Sequence, residues 1–201
     1  MLENFHQTKV ALASMVMVMP SVSAPSKRPD PHALEYNFAD ELIDALEEQG
    51  NPELVKSLTE TRSKSKMEFR KLVQGCASEG RGKPAYWANL WLACRGDKDS
   101  LLRLWYGQAH GGFGITSQEW SEAFHLWGVF KFYPASDFLV DWVSASNMLS
   151  GHGARAALRI LYPKVNTSRL DWSSETNEFQ DAYKRAIIAK RSKSPELFNE
   201  R

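Results

Sequence analysis

The chain has 201 residues, 43% of them hydrophobic and 24% charged, with 25 Lys and Arg against 24 Asp and Glu and a formal net charge of +1. This is an ordinary globular composition, which excludes a disordered tail, a collagen-like rod and a disulfide-stapled miniprotein. A chain of this length buries roughly 70% of the surface its unfolded form exposes, so folding requires neither metal nor cystine, and the near-neutral total singles out no partner.

At the start, Lys9 precedes an apolar run from Val10 to Met19, and Pro20 and the small residues Ser21-Val22-Ser23-Ala24 follow. Two expectations fit this pattern: an N-terminal helix that docks or is exchanged in an intracellular protein, or a secretory leader cleaved after Ala24. The run is shorter than the ~20 apolar residues a membrane span needs, and no other stretch reaches that length. Pro20, Pro25, Pro29 and Pro31 predict an extended linker closing an arm over residues 1–32. A helical domain is expected over 33–192 and a fraying polar tail over 193–201.

Asn37 is placed to cap a helix bearing Leu42, Ile43 and Leu46, and Gly50 is placed to end it. Asn51-Pro52 predicts a restart with Leu54, Val55 and Leu58 facing inward. Residues 62–76 read as one further helix, with Phe69, Leu72, Val73 and Cys76 on one side. Gly80-Arg81-Gly82-Lys83-Pro84 interrupts the pattern. Tyr86, Trp87, Leu90, Trp91 and Cys94 then share one helical face, and Leu101, Leu104 and Trp105 share the next, from a start near Asp99 or Ser100.

His110-Gly111-Gly112-Phe113-Gly114 predicts a loop. Thr116 and Glu119 form a capping box, with Ile115 and Trp120 as its hydrophobic staple. The helix behind it carries Phe124 and Trp127 and ends over Phe130–Pro134. Ser136 is the expected cap of a helix reaching Leu149, Gly151-His152-Gly153 an expected turn, and Ala154–Leu161 a short helix stopped by Pro163. Ser173 or Ser174 caps a last helix with Phe179, Ala182, Tyr183, Ala186 and Ile187 on one side. No stretch sustains a two-residue alternation and no repeat is visible, so the fold class is all-α: one bundle of about seven or eight helices behind an N-terminal arm. Trp91, Trp105, Trp120 and Trp127 belong to its core by their spacing.

Chemistry-bearing motifs are few. Ala77-Ser78-Glu79-Gly80-Arg81-Gly82-Lys83 has the spacing of a phosphate-binding loop, but Pro84 stands where a Mg²⁺-holding hydroxyl belongs, and a helix precedes it. The five histidines are not paired with each other or with cysteine at helical spacing, so no metal and no cofactor is expected. Cys76 and Cys94 read as buried thiols. No GxSxG elbow is present. Glu119 and Glu122, one turn apart behind a glycine loop, are the carboxylates a helical hydrolase could use. Asn166-Thr167-Ser168 is a glycosylation sequon that matters only on a eukaryotic secretory route.

Charge distribution is more informative. Residues 1–60 carry net −6, residues 61–103 net +6 and residues 104–201 net +1. Arg62, Lys66 and Arg70 recur every four residues and so share a helical face; Lys71, Arg81 and Lys83 extend them, with Lys64 alongside. A row of this kind tracks phosphates and releases counterions without reading sequence, and Tyr86 and Trp87, if exposed, would offer stacking planes. The reading is therefore a non-enzymatic helical protein that joins copies of itself or a larger complex and contacts nucleic-acid backbone through these six cations. A secreted or host-directed interaction protein is the alternative, and a hydrolase using Glu119 or Glu122 a second.

Overall fold

The computed structural model describes residues 31–109, 112–116, 119–143, 148–166 and 176–199. These form nine α-helices and two 3₁₀ turns, and among them there is no strand. The expectation of an all-α bundle is met. The arm up to residue 30, the cap at Ser173 or Ser174 and the hydroxyl residues of the sequon lie outside the described residues.

Helix α1 (Pro31–Glu48) begins six residues before the expected cap. Proline at the first position has φ pre-set for a helix and loses no hydrogen bond there. Asn37 consequently lies inside α1, and Pro31 and His32, expected in the arm, are helical. Gly50 closes the helix as expected: its φ is +72°, its N–H donates to Glu47 at 2.9 Å, and Asn51 N–H donates to Leu46 at 3.1 Å. Asn51 then caps α2 (Pro52–Lys64) by accepting Leu54 N–H.

The expected helix over 62–76 is two helices. Ser65 is extended, at φ −149° and ψ 102°, and separates α2 from α3 (Lys66–Glu79). It donates its own N–H to Thr61 at 2.8 Å and accepts Glu68 N–H on its hydroxyl at 3.3 Å. The break is thus capped on both sides.

Helix α4 (Gly82–Ala93) is the centre of the first half. Every residue from Pro84 to Ala93 is buried, because α1, α3 and α5 (Lys98–Ala109) all pack on it. Asn89, polar and buried there, donates to the carbonyls of Ala77 (3.2 Å) and Ala85 (2.7 Å), which ties the end of α3 to α4. Asp97 caps α5 by accepting Ser100 N–H at 2.9 Å, so the helix starts slightly ahead of the expected Asp99.

The second half is built on α6 (Trp120–Val129) and α8 (Met148–Leu161), which pack more closely than any other pair. The predicted capping box forms: Glu119 accepts Thr116 N–H at 2.5 Å and Thr116 Oγ1 accepts Glu119 N–H at 3.4 Å. The predicted turn at Gly151-His152-Gly153 does not form, and α8 runs through it. A Cβ on Gly153 would stand 3.2 Å from Ser121 Cα, and one on Gly128 would stand 3.0 Å from Ala157 Cα. These glycines bring two helix backbones together rather than turn the chain.

Ser136 does not cap α7 (Ser136–Trp142); its hydroxyl is buried against that of Tyr162 at 2.7 Å. Leu149 falls on α8, not α7. Helix α9 (Thr176–Lys193) buries Phe179, Tyr183 and Ile187 and packs on α7, where Gln180 donates to the Val140 carbonyl at 2.9 Å. The chain continues in α9 to Lys193 and returns through a 3₁₀ turn, Pro195–Phe198, that half-buries Phe198 at 5.7 Å from Tyr133.

Aromatic rings join the halves. Tyr86 of α4 lies 5.2 Å from Trp120, which lies 6.5 Å from Trp127. The Tyr86 hydroxyl donates to the Glu119 carbonyl, and Trp127 Nε1 donates to the Leu101 carbonyl at 3.3 Å. Trp91, Trp120 and Trp127 are buried as expected and Trp105 is half-buried. Each large side chain so buried contributes roughly 2–3 kcal/mol. Cys76 and Cys94 are buried free thiols; burial pushes the Cys94 thiol up to about 12.

Candidate nucleic-acid interface

The six expected cations divide into two groups. Lys66, Arg70, Lys71 and Arg81 are exposed. Lys66 and Arg70 are one turn apart on α3 and flank the side that buries Phe69, Val73, Cys76 and Ala77 against α4. Lys71 lies about 100° further round the helix from Arg70, and exposed Lys64 sits one residue before the Ser65 break. Met67 lies among them, 67% exposed. Glu68 is the carboxylate nearest in sequence.

Arg62 and Lys83 are placed differently. Arg62 precedes the break, so it is not in the row that a continuous helix would have made. Its guanidinium is half-buried and paired with Asp40 of α1 through both Nη atoms. Lys83 Nζ lies 4.0 Å from Glu48 and 4.0 Å from Glu119. Part of the acidic front is therefore used within the fold, to neutralise two cations of the basic middle. Arg81 projects from the Gly80–Gly82 connection, where Gly82 takes φ +67°.

Tyr86 and Trp87 are buried and present no stacking surface. Burial, with Glu122 and Glu119 beside it, holds the Tyr86 hydroxyl well above the usual phenol range, so it stays a neutral donor. Glu119 is occupied as the capping-box residue and as the neighbour of Lys83. No group of three His, Cys, Asp or Glu side chains able to hold a metal occurs among the described residues, and none of their helices is long and apolar enough to cross a membrane.

A second basic surface was passed over in the sequence. From Lys184 to Lys193 there are five cations and no carboxylate. Lys184, Arg185 and Lys193 are exposed on α9, together with Ile188. Lys190 Nζ lies 5.4 Å from the Tyr133 ring centroid, and Arg191 pairs with Asp137 with its Cζ 4.7 Å from the Phe198 centroid. The run is invisible in the net charge of residues 104–201, where ten carboxylates offset eleven cations, and shows only over its own ten residues.

The chain matches no protein-family model, no curated protein and no solved structure.

Proposed function

We propose that this protein binds nucleic-acid backbone without sequence preference and works as a non-enzymatic component of an assembly, either of its own copies or with other subunits. The observation that carries the reading is α3, on which Lys66, Arg70 and Lys71 are all exposed within six residues. Side chains on a rigid helix can follow a phosphate row at little ordering cost, and the counterions they release drive binding. Lys64 and Arg81 extend the surface, and the cations of α9 add a second. Arg62 and Lys83, already paired, support the fold and leave the binding role to the others. Assembly is supported by the exposed apolar side chains Val129, Phe130 and Ile160 at the ends of α6 and α8, a kind of surface that partners cover.

Binding of the purified chain to a labelled strand of arbitrary sequence, across a salt series, tests the backbone reading. Light scattering with and without the strand tests assembly. Changing Lys66, Arg70 and Lys71 to Gln should weaken binding to RNA or DNA of any sequence to the same degree. Unchanged binding by that variant would remove α3 from the interface.

A further inference from the structure

A cleft of about 380 Å³ opens beside the C-terminal end of α9. Its flat apolar walls are Trp105 of α5, Pro134 of the first 3₁₀ turn, and Pro195 and Phe198 of the second. Its polar edge is formed by Asp137, Arg191 and Asn199. Tyr86 and Trp87 lie in the core, and the α3 surface offers no aromatic ring.

We infer that this cleft receives one unstacked base of a bound single strand; the inference rests on the backbone reading above and adds a base-binding site to it. Three observations point to a base. Trp105 and Phe198 carry planar aromatic rings, whose faces accept any base, and Pro134 and Pro195 add apolar contact. The edge carries both kinds of partner that a base edge requires: the Asp137 carboxylate accepts, the Arg191 guanidinium donates, and the Asn199 amide does both. The guanidinium is already held, 4.7 Å from the Phe198 centroid and paired with Asp137, so the edge is pre-organised. The volume lies within the range of small-ligand sites, about 300–1,000 Å³.

Charge around the cleft suits a strand rather than a free nucleoside. Lys193 is exposed two residues before Pro195, and Lys184 and Arg185 lie further back along α9. A strand whose base enters the cleft thus has cations near it for the neighbouring phosphates. A proline-rich peptide also uses aromatic walls, but it offers no planar edge of mixed donors and acceptors to match Asp137, Arg191 and Asn199.

The test compares two labelled strands of equal length with the full chain: a mixed-base single-stranded RNA, and an abasic strand carrying the same phosphates. The wild type should prefer the base-bearing strand about tenfold, the scale of one base stacked on an aromatic ring. Phe198→Ala and Asn199→Ala should bring that ratio close to one and leave affinity for the abasic strand unchanged. Because Phe198→Ala can loosen the end of the chain, a strand containing 4-thiouridine should also be photocrosslinked to the wild type, with the adduct mapping to peptides holding Trp105 or Phe198. Equal binding of both strands by the wild type would overturn the base site and leave the backbone reading standing. Crosslinks confined to other peptides would overturn it too. Binding of a proline-rich peptide that is lost in Phe198→Ala, with an unchanged preference between strands, would reassign the cleft to a peptide. Binding of neither strand at low salt would overturn both readings at once.

Discussion

The two basic surfaces of this molecule differ in what surrounds their charges. On α3, Lys66, Arg70 and Lys71 stand over a buried apolar side and leave only Met67 and Glu68 among them, while the neighbouring cations Arg62 and Lys83 are paired with carboxylates of α1 and of the capping box. On α9, Lys190 and Arg191 lie against aromatic rings, and the run ends at a ring-walled cleft. The first surface is suited to phosphates alone. The second can engage something flat as well. The comparison teaches that a count of cations along a sequence overstates a surface where the fold supplies its own anions and understates one where distant carboxylates cancel it on paper.

Removing each surface separates them. Changing Lys66, Arg70 and Lys71 together to Gln should lower affinity for a single strand roughly a hundredfold at low salt and reduce the salt slope by about two, as anisotropy would read. The matching change at Lys184, Arg185 and Lys193 should cost about tenfold, since these cations are spread over ten residues of α9. A larger loss from α9 than from α3 would invert the assignment of the principal surface.

Releasing a paired cation should have the opposite sign. Asp40→Asn removes this carboxylate from Arg62 and should tighten binding about twofold to threefold, raising the slope by nearly one, at a cost of at most ~1 kcal/mol in a denaturant melt because the pair is partly solvated. Arg62→Gln and Lys83→Gln should change affinity by less than about twofold, since both side chains already face carboxylates. A strong loss from Arg62→Gln would show that the guanidinium leaves Asp40 for a phosphate.

The alkaline limit should not distinguish these variants. Burial raises the Cys94 thiol from 9.0 to about 12 and the Tyr162 hydroxyl from 10.0 to about 12, the latter against a Ser136 hydrogen bond that lowers it. The folded chain holds the neutral forms, whereas the unfolded chain ionises nearer the ordinary values. The stability these groups contribute is complete below about pH 9 and is lost as the pH rises through about 12. Circular dichroism on an alkaline titration should give the same midpoint for the wild type and every surface variant. A shifted midpoint in the Lys66, Arg70 and Lys71 variant would mean that the change had reached the core.

Much of the fold was legible because its signals are local. Asn51-Pro52, Gly50 and the Thr116–Glu119 box each act within a turn of helix, and each forms as read. The Ser65 break carried a signal of the same kind, since Ser65 with Glu68 three residues on is the capping-box pattern. The regular spacing of Phe69, Val73 and Cys76 masked it, because that spacing continues through α3 alone. Gly151 and Gly153 misled for the reverse reason. Glycine in a helix has no local benefit over a turn, and only the approach of α6 explains it; the small residues Gly153 and Ala157, one turn apart, are the one trace of that contact. Ser136 likewise serves a tertiary partner, Tyr162, which lies 26 residues away. Of the candidate interface, the exposed group on α3 was legible from helical period. The withdrawal of Arg62 and Lys83 was not, because it depends on where α1 and the capping box lie. The cleft was illegible, since its walls come from three separated parts of the chain.

The central claim is that exposed cations on α3 bind phosphates, and the most direct measurement of it is anisotropy of a labelled arbitrary-sequence RNA and DNA strand with the wild-type chain from low to physiological salt. The account predicts binding to both that falls linearly on logarithmic axes, with a slope of about −2 to −4. No binding to either strand at low salt would contradict it, and the outer side of α3 would then be a solvated helix face.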